Sequence, residues 1–319
     1  MNWKHWHRGC ATGLIACAAL WSATAAAAGP AGGFNRLVVF GDSLSDPGNA
    51  FVLVQTVSVP PFDLIPSAPY ARGGLHFSNG ETWVEQLASE LNAKRSSGPA
   101  LRKPLVFSNY AVGGARARAT GVFDLSVQTA LFLSDSGGQA SSDSLYVVFA
   151  GGNDVLDALR EFDPNNLAPS LGILLAAVDA IDMSLRTLSA RGAHAFLVPN
   201  APNIALVPAV RQLGTDAQTA AQSLTAIFNG QLEARLSALE ADPNLGVKIE
   251  RLDVFGILNE VVAAPAAAGL GEVELPCITP ETKISPFCAH PDNFLFWDGI
   301  HPTRAGHGIL ARRAAGKFQ

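Results

Sequence analysis

The chain has 319 residues, 48% of them hydrophobic and only 15% charged, with a net charge of −5. That balance excludes a disordered chain, and the lack of any lysine or arginine block excludes a nucleic-acid surface. With 30 Gly and 20 Pro but no fixed period, the pattern is not that of collagen, a solenoid or a coiled coil.

The first element is a targeting segment. Lys4 and Arg8 precede an apolar stretch that ends near Trp21, and small residues follow as far as Ala28. A basic start, an apolar centre and an A-x-A end predict a secretory signal peptide over 1–28. Residues 29–319 then form one domain of a periplasmic or secreted protein. An uncleaved anchor, or a lipoprotein cleaved before Cys17, leads to export as well. Cleavage leaves only Cys277 and Cys288, and an even pair in an exported chain predicts one disulfide. A metal site built on these two and His290 lacks both C-x2-4-C spacing and a fourth ligand.

Residues 36–40 (RLVVF) are a continuous apolar run bounded by glycines, which suits a buried parallel strand. Similar runs lie at 105–110, 145–150, 193–198 and 247–254. Between them, helical spacing recurs over 81–94, 167–189 and 210–240, and a last helix over 302–315 opens on Pro302. About five strands spaced by helices predict a doubly wound α/β domain, because parallel neighbours need crossover helices. Loops are expected at 96–103, 134–144 and 256–297. The last is long, so it is either functional or clamped by its cysteine pair.

In open parallel sheets, ligands bind beyond the carboxyl ends of the strands. Three such ends carry polar residues among glycines: 41–49 (GDSLSDPGN), 109–114 (NYAVGG) and 151–154 (GGND). Each alone reads as readily as a structural turn. A fourth block, 296–303 (FWDGIHPT), puts Asp298 three residues before His301 in a turn containing Gly299. A carboxylate on Nδ1–H would leave Nε2 free as a base, although a turn-bracing carboxylate beside a packed loop histidine fits equally well. Ser134-Asp135-Ser136-Gly137-Gly138 echoes a chymotrypsin-type serine loop, but that fold is all-β and its His and Asp precede the Ser. Ser43 lacks a G-x-S-x-G elbow, which disfavours an α/β-hydrolase. His76, His194, His290 and His307 form no metal-spaced cluster.

Taken together and in order, the four blocks resemble the GDSL, or SGNH, hydrolases, over nearly the whole of 41–302. The stretch 77–83 (FSNGETW) and the FWDGIHPT block look most like the exported bacterial branch of phospholipase or lecithinase-like enzymes. The resemblance implies a three-layer α/β/α, flavodoxin-like fold and hydrolysis of carboxylic esters. Carried over by position, Ser43 matches the nucleophile, His301 the base and Asp298 its orienter. The oxyanion donors would be the Ser43 N–H, the Gly114 N–H and the Asn153 amide, with Gly113 an alternative to Gly114. Such chemistry requires no metal or organic cofactor. Asp42, Asp46, Asn49 and Asp154 read as turn braces.

The expected substrate is a small-molecule or lipid ester. Phospholipids and acetylated carbohydrate are alternatives at the same site, and oligomeric state stays open. Apolar, proline-broken 51–70 could line the substrate entrance, touch a lipid surface in passing, or cover the sheet edge. A binding protein that had lost catalysis would show a broken triad or oxyanion set, and all five positions carry the expected residue types.

Overall fold

The computed structural model describes residues 33–54, 75–119, 121, 123–278 and 288–318. The predicted signal peptide and most of 51–70 lie outside the described residues. Four parallel strands form the main sheet: β1 (Arg36–Gly41), β2 (Ser144–Phe149), β3 (Ala195–Pro199) and β4 (Lys248–Leu252), in that order. Leu37, Val39, Leu145 and Val147 on one face and Val38, Phe40, Tyr146 and Val148 on the other are all buried, as the unbroken apolar runs require. Register runs from Arg36 opposite Ser144 to Gly41 opposite Phe149, and from Ala195 opposite Lys248 to Pro199 opposite Leu252.

The strand expected over 105–110 does not form as such. Leu105 is exposed at φ +67 after Pro104, which keeps the start of that run out of the sheet. Pairing begins later: Val39 N–H donates to Ser108 O, Tyr110 N–H to Val39 O and Val112 N–H to Gly41 O. Residues 108–112 thus run parallel to β1 on its free edge. The chain therefore moves outward from β1 on one side and then on the other. Right-handed crossovers place the two sets of connecting helices on opposite faces of such a sheet.

The helices group accordingly. α2 (Trp83–Glu90) packs on the last helix, α9 (Arg304–Ala315), while α3 (Leu125–Asp135), α4 (Gly152–Arg160), α5 (Ala168–Ser189) and α7 (Thr215–Ala241) pack together. α5 is long and apolar enough to cross a membrane, but Leu174, Val178, Ile181 and Leu185 are buried within this group. Short α1 (Asn49–Val54) follows the first strand-end turn, and α6 (Pro208–Arg211) precedes α7.

The expected long loop at 256–297 is largely structured. It holds most of α8 (Val254–Ala263) and a small second sheet of parallel β5 (Glu272–Pro276) and β6 (Phe294–Phe296). Cys277 and Cys288 are joined in a disulfide at its side, as expected. α9 begins at Arg304, not Pro302. Thr303 is its cap, accepting Gly306 N–H at 3.1 Å and donating to Phe294 O at 2.6 Å.

Candidate active site

Three strand ends meet where the sheet order reverses, between 108–112, β1 and β2. Gly41 ends β1, and a Cβ there would stand 2.3 Å from Phe149 O, so the turn lies directly against β2. Beyond it, Asp42 Oδ1 accepts Leu44 N–H (3.0 Å) and Asp42 O accepts Ser45 N–H (3.1 Å), folding the backbone so that Ser43 stands at the apex. Ser45 Oγ accepts the buried Trp83 indole N–H at 3.0 Å.

Asp46 binds four backbone donors. Its Oδ1 accepts Gly48 and Asn49 N–H (2.7 and 2.5 Å), and its Oδ2 accepts Ala50 and Gly113 N–H (3.0 and 2.8 Å). Asn49 donates to Asn109 O and Ala111 O, and Asn109 returns a bond to Ser45 O at 2.8 Å. The Ser43 turn and the 109–114 block are thus stapled together by the turn residues themselves. Burial pushes Asp42 and Asp46 up to about 6, against the pull of those N–H donors.

The third contribution arrives from the carboxyl end. After β6, Trp297 N–H donates to His301 O at 2.7 Å, closing a turn around Asp298. Asp298 Oδ1 accepts Ile300 and His301 N–H (2.8 and 2.7 Å), while Oδ2 lies 2.7 Å from His301 Nδ1. His301 Nε2 lies 2.7 Å from Ser43 Oγ. With the carboxylate on its far side, the ring carries its proton on Nδ1, and Nε2 accepts the serine hydroxyl. All three side chains are buried. Burial alone would raise Asp298, but the attraction of a protonated His301, the His301 hydrogen bond and the two backbone donors outweigh it, holding the carboxyl below its ordinary value. Phe77 packs on the imidazole with ring centroids 5.2 Å apart, and Ser78 holds Pro302 O at 2.9 Å.

Gly113 N–H is taken by Asp46, whereas Gly114, at φ +81, keeps an N–H with no partner among the described residues. Asn153 stands in the first turn of α4, its amide anchored to Ala115 O at 2.8 Å. It lines one cavity together with Ser43 and His301. Asp154 braces the neighbouring loop by accepting Ala117 N–H at 2.8 Å, and burial pushes it, too, up to about 6.

His307 is buried one turn into α9, pushed down to about 3 by burial and by the nearby His301 and His76. It is neutral at ordinary pH, and the serine hydroxyl bonds to His301. Ser136 ends α3 and bonds Leu133 O, while Asp135 accepts the Tyr110 hydroxyl at 2.8 Å, so that serine loop is a helix terminus. Among the described residues no group of three His, Cys, Asp or Glu is placed to hold a metal. Sequence reasoning missed the apolar wall that α8 lends to the cavity beside Ser43. The spacing Val254, Ile257, Leu258, Val261 carries that signal.

A serine at the switch point of a parallel α/β sheet, bonded to an imidazole, is the arrangement of an ester hydrolase. The comparisons with known proteins are more specific. The GDSL-like lipase/acylhydrolase model matches residues 37–314, and the chain belongs to that family of carboxylic ester hydrolases. It is 28% identical to a GDSL esterase/lipase of Arabidopsis thaliana, over 87% of each chain. It is 25% identical to a phosphatidylcholine-sterol acyltransferase of Aeromonas hydrophila, over 96% of this chain and 95% of that one. An acetylxylan esterase structure from Geobacillus stearothermophilus covers 91% of the chain at 16% identity, with a TM-score of 0.46.

Proposed function

We propose that the protein is an exported serine esterase or lipase in which Ser43 is the nucleophile, His301 the general base and Asp298 its orienter. The bond of 2.7 Å between Ser43 Oγ and His301 Nε2, backed by Asp298, carries this reading. Oγ attacks the ester carbonyl as Nε2 takes its proton, and the carbonyl oxygen becomes an oxyanion. The Ser43 and Gly114 N–H groups and the Asn153 amide are assigned to receive it. Collapse breaks the bond to the alcohol, which leaves with the proton from Nε2. Water then repeats the sequence on the acyl-enzyme and releases the acid, with Ser43 restored. A signal peptide over 1–28 and a single domain over 29–319 complete the proposal, and the disulfide supports an oxidising compartment.

The test is Ser43→Ala, expected to lower kcat/KM on p-nitrophenyl butyrate about 10⁴- to 10⁶-fold with an unchanged thermal midpoint. A serine-reactive phosphonate is expected to label Ser43 alone. Label on Ser136 instead, or activity surviving in Ser43→Ala, would remove Ser43 from the mechanism.

A further inference from the structure

We propose that the apolar cavity opening beside Ser43 receives the acyl chain, so that the substrates are medium- or long-chain acyl esters rather than acetates. This rests on the serine-hydrolase reading above. The cavity draws its walls from several separate elements, and apolar residues predominate among them. Its polar side chains are Asp42, Ser43, Asn153 and His301, all from the strand-end turns described above. The rest of the wall is hydrocarbon: Leu156 from α4, Ile204 from the segment after β3, Ile257 and Val261 from α8, and Ile309 and Leu310 from α9.

Three features decide what fits. Protein interiors close-pack, so an unfilled apolar space forfeits contacts on every wall unless an occupant restores them. An acetyl group would touch few of these walls. A sugar or phosphate would press hydroxyls or charge against methyl groups with no partner to bond. An alkyl chain meets every surface on offer. It belongs to the acid and not the alcohol because the acyl group stays on Oγ after the alcohol departs. Water must then reach the same carbon from the side the alcohol has vacated. The apolar space suits the half of the substrate that stays.

The full chain is assayed on p-nitrophenyl acetate, butyrate, octanoate and dodecanoate, and on acetates of butanol, octanol and dodecanol. In the wild type, kcat/KM is expected to climb about four-fold for each methylene buried, and to climb with the acid but not with the alcohol. Val261→Trp fills the cavity from α8 and is expected to lower the octanoate-to-acetate ratio at least ten-fold. A wild-type preference for acetate, a climb with the alcohol instead, or a folded Val261→Trp with an unchanged ratio overturns the assignment. Wild-type competition covers the case in which that variant does not fold. Octanoate is expected to inhibit butyrate hydrolysis more strongly than octanol, and the reverse order overturns the assignment. Hydrolysis of no ester, with Ser43 unlabelled by phosphonate, brings down the serine-hydrolase reading itself. Labelled Ser43 with a flat chain-length profile brings down only the acyl assignment.

Discussion

Asp298 is fixed at both oxygens, and that decides what an amide would do in its place. The side-chain carbonyl of an asparagine there would have to face the Ile300 and His301 N–H groups, turning its NH₂ onto Nδ1. The imidazole would then carry its proton on Nε2 and have no lone pair for Ser43. Asp298→Asn is expected to lower kcat about 10⁴-fold, as the same change does in serine proteases, with the fold intact. A loss below ten-fold, measured alongside the thermal midpoint, would show that another acceptor holds Nδ1–H. The sequence alone suggests a milder effect, with a backbone carbonyl standing in; the paired N–H clamp on Oδ1 favours the larger one. Asp46→Asn belongs to the same scale. It relieves a buried charge but sets an NH₂ against two N–H donors, from Ala50 and Gly113. The unmade bonds outweigh the relief, and a net loss of about 2 kcal/mol is expected in urea unfolding at neutral pH.

At the level of elements, the small β5–β6 sheet carries His301, the proposed base, to Ser43. Cys277 N–H donates to Phe296 O and Ile278 N–H to Trp297 O, so the disulfide-closed segment pairs with the backbone leading into Asp298. Reduction, or Cys277→Ser with Cys288→Ser, is expected to cost about 3 kcal/mol of stability. It is also expected to lower kcat more than it changes KM, because the backbone it supports leads directly into Asp298 and His301. Steady-state kinetics with and without reductant checks this, and an unchanged kcat in fully reduced protein would contradict it. The four blocks are legible together because they follow one another in order at strand ends, although each alone reads as a structural turn. Burial on both faces made β1 to β4 equally plain. The edge segment was misplaced because Leu105 and Val106 look like strand while the pairing starts at Ser108. α8 was read as loop because Gly256 and Pro265 punctuate it, although its apolar spacing is helical. The cavity was hidden for the same reason, since its walls come from elements distant in sequence.

Over the whole molecule, buried acids and a buried base pull stability in opposite directions with pH. Asp42, Asp46 and Asp154, ordinarily at 3.8, are pushed up to about 6 by burial. The folded chain holds those protons more tightly than the unfolded one. Their contribution is therefore complete below 3.8 and lost as pH rises through 6. His307, pushed from 6.5 down to about 3 by burial, contributes fully above 6.5 and loses that contribution as pH falls. Three groups against one give a thermal midpoint expected to peak at mildly acidic pH and to decline toward neutrality. Thermal melts across a pH series test this, and a midpoint rising steadily to neutral pH would contradict the raised aspartates. The hydroxyl and the ring nitrogen that meet at the switch point stand 258 residues apart in the chain. A ribosome makes Ser43 well before His301. On the mechanism proposed here, a nascent chain that has not reached His301 lacks its base, and the order of synthesis serves as a safety catch.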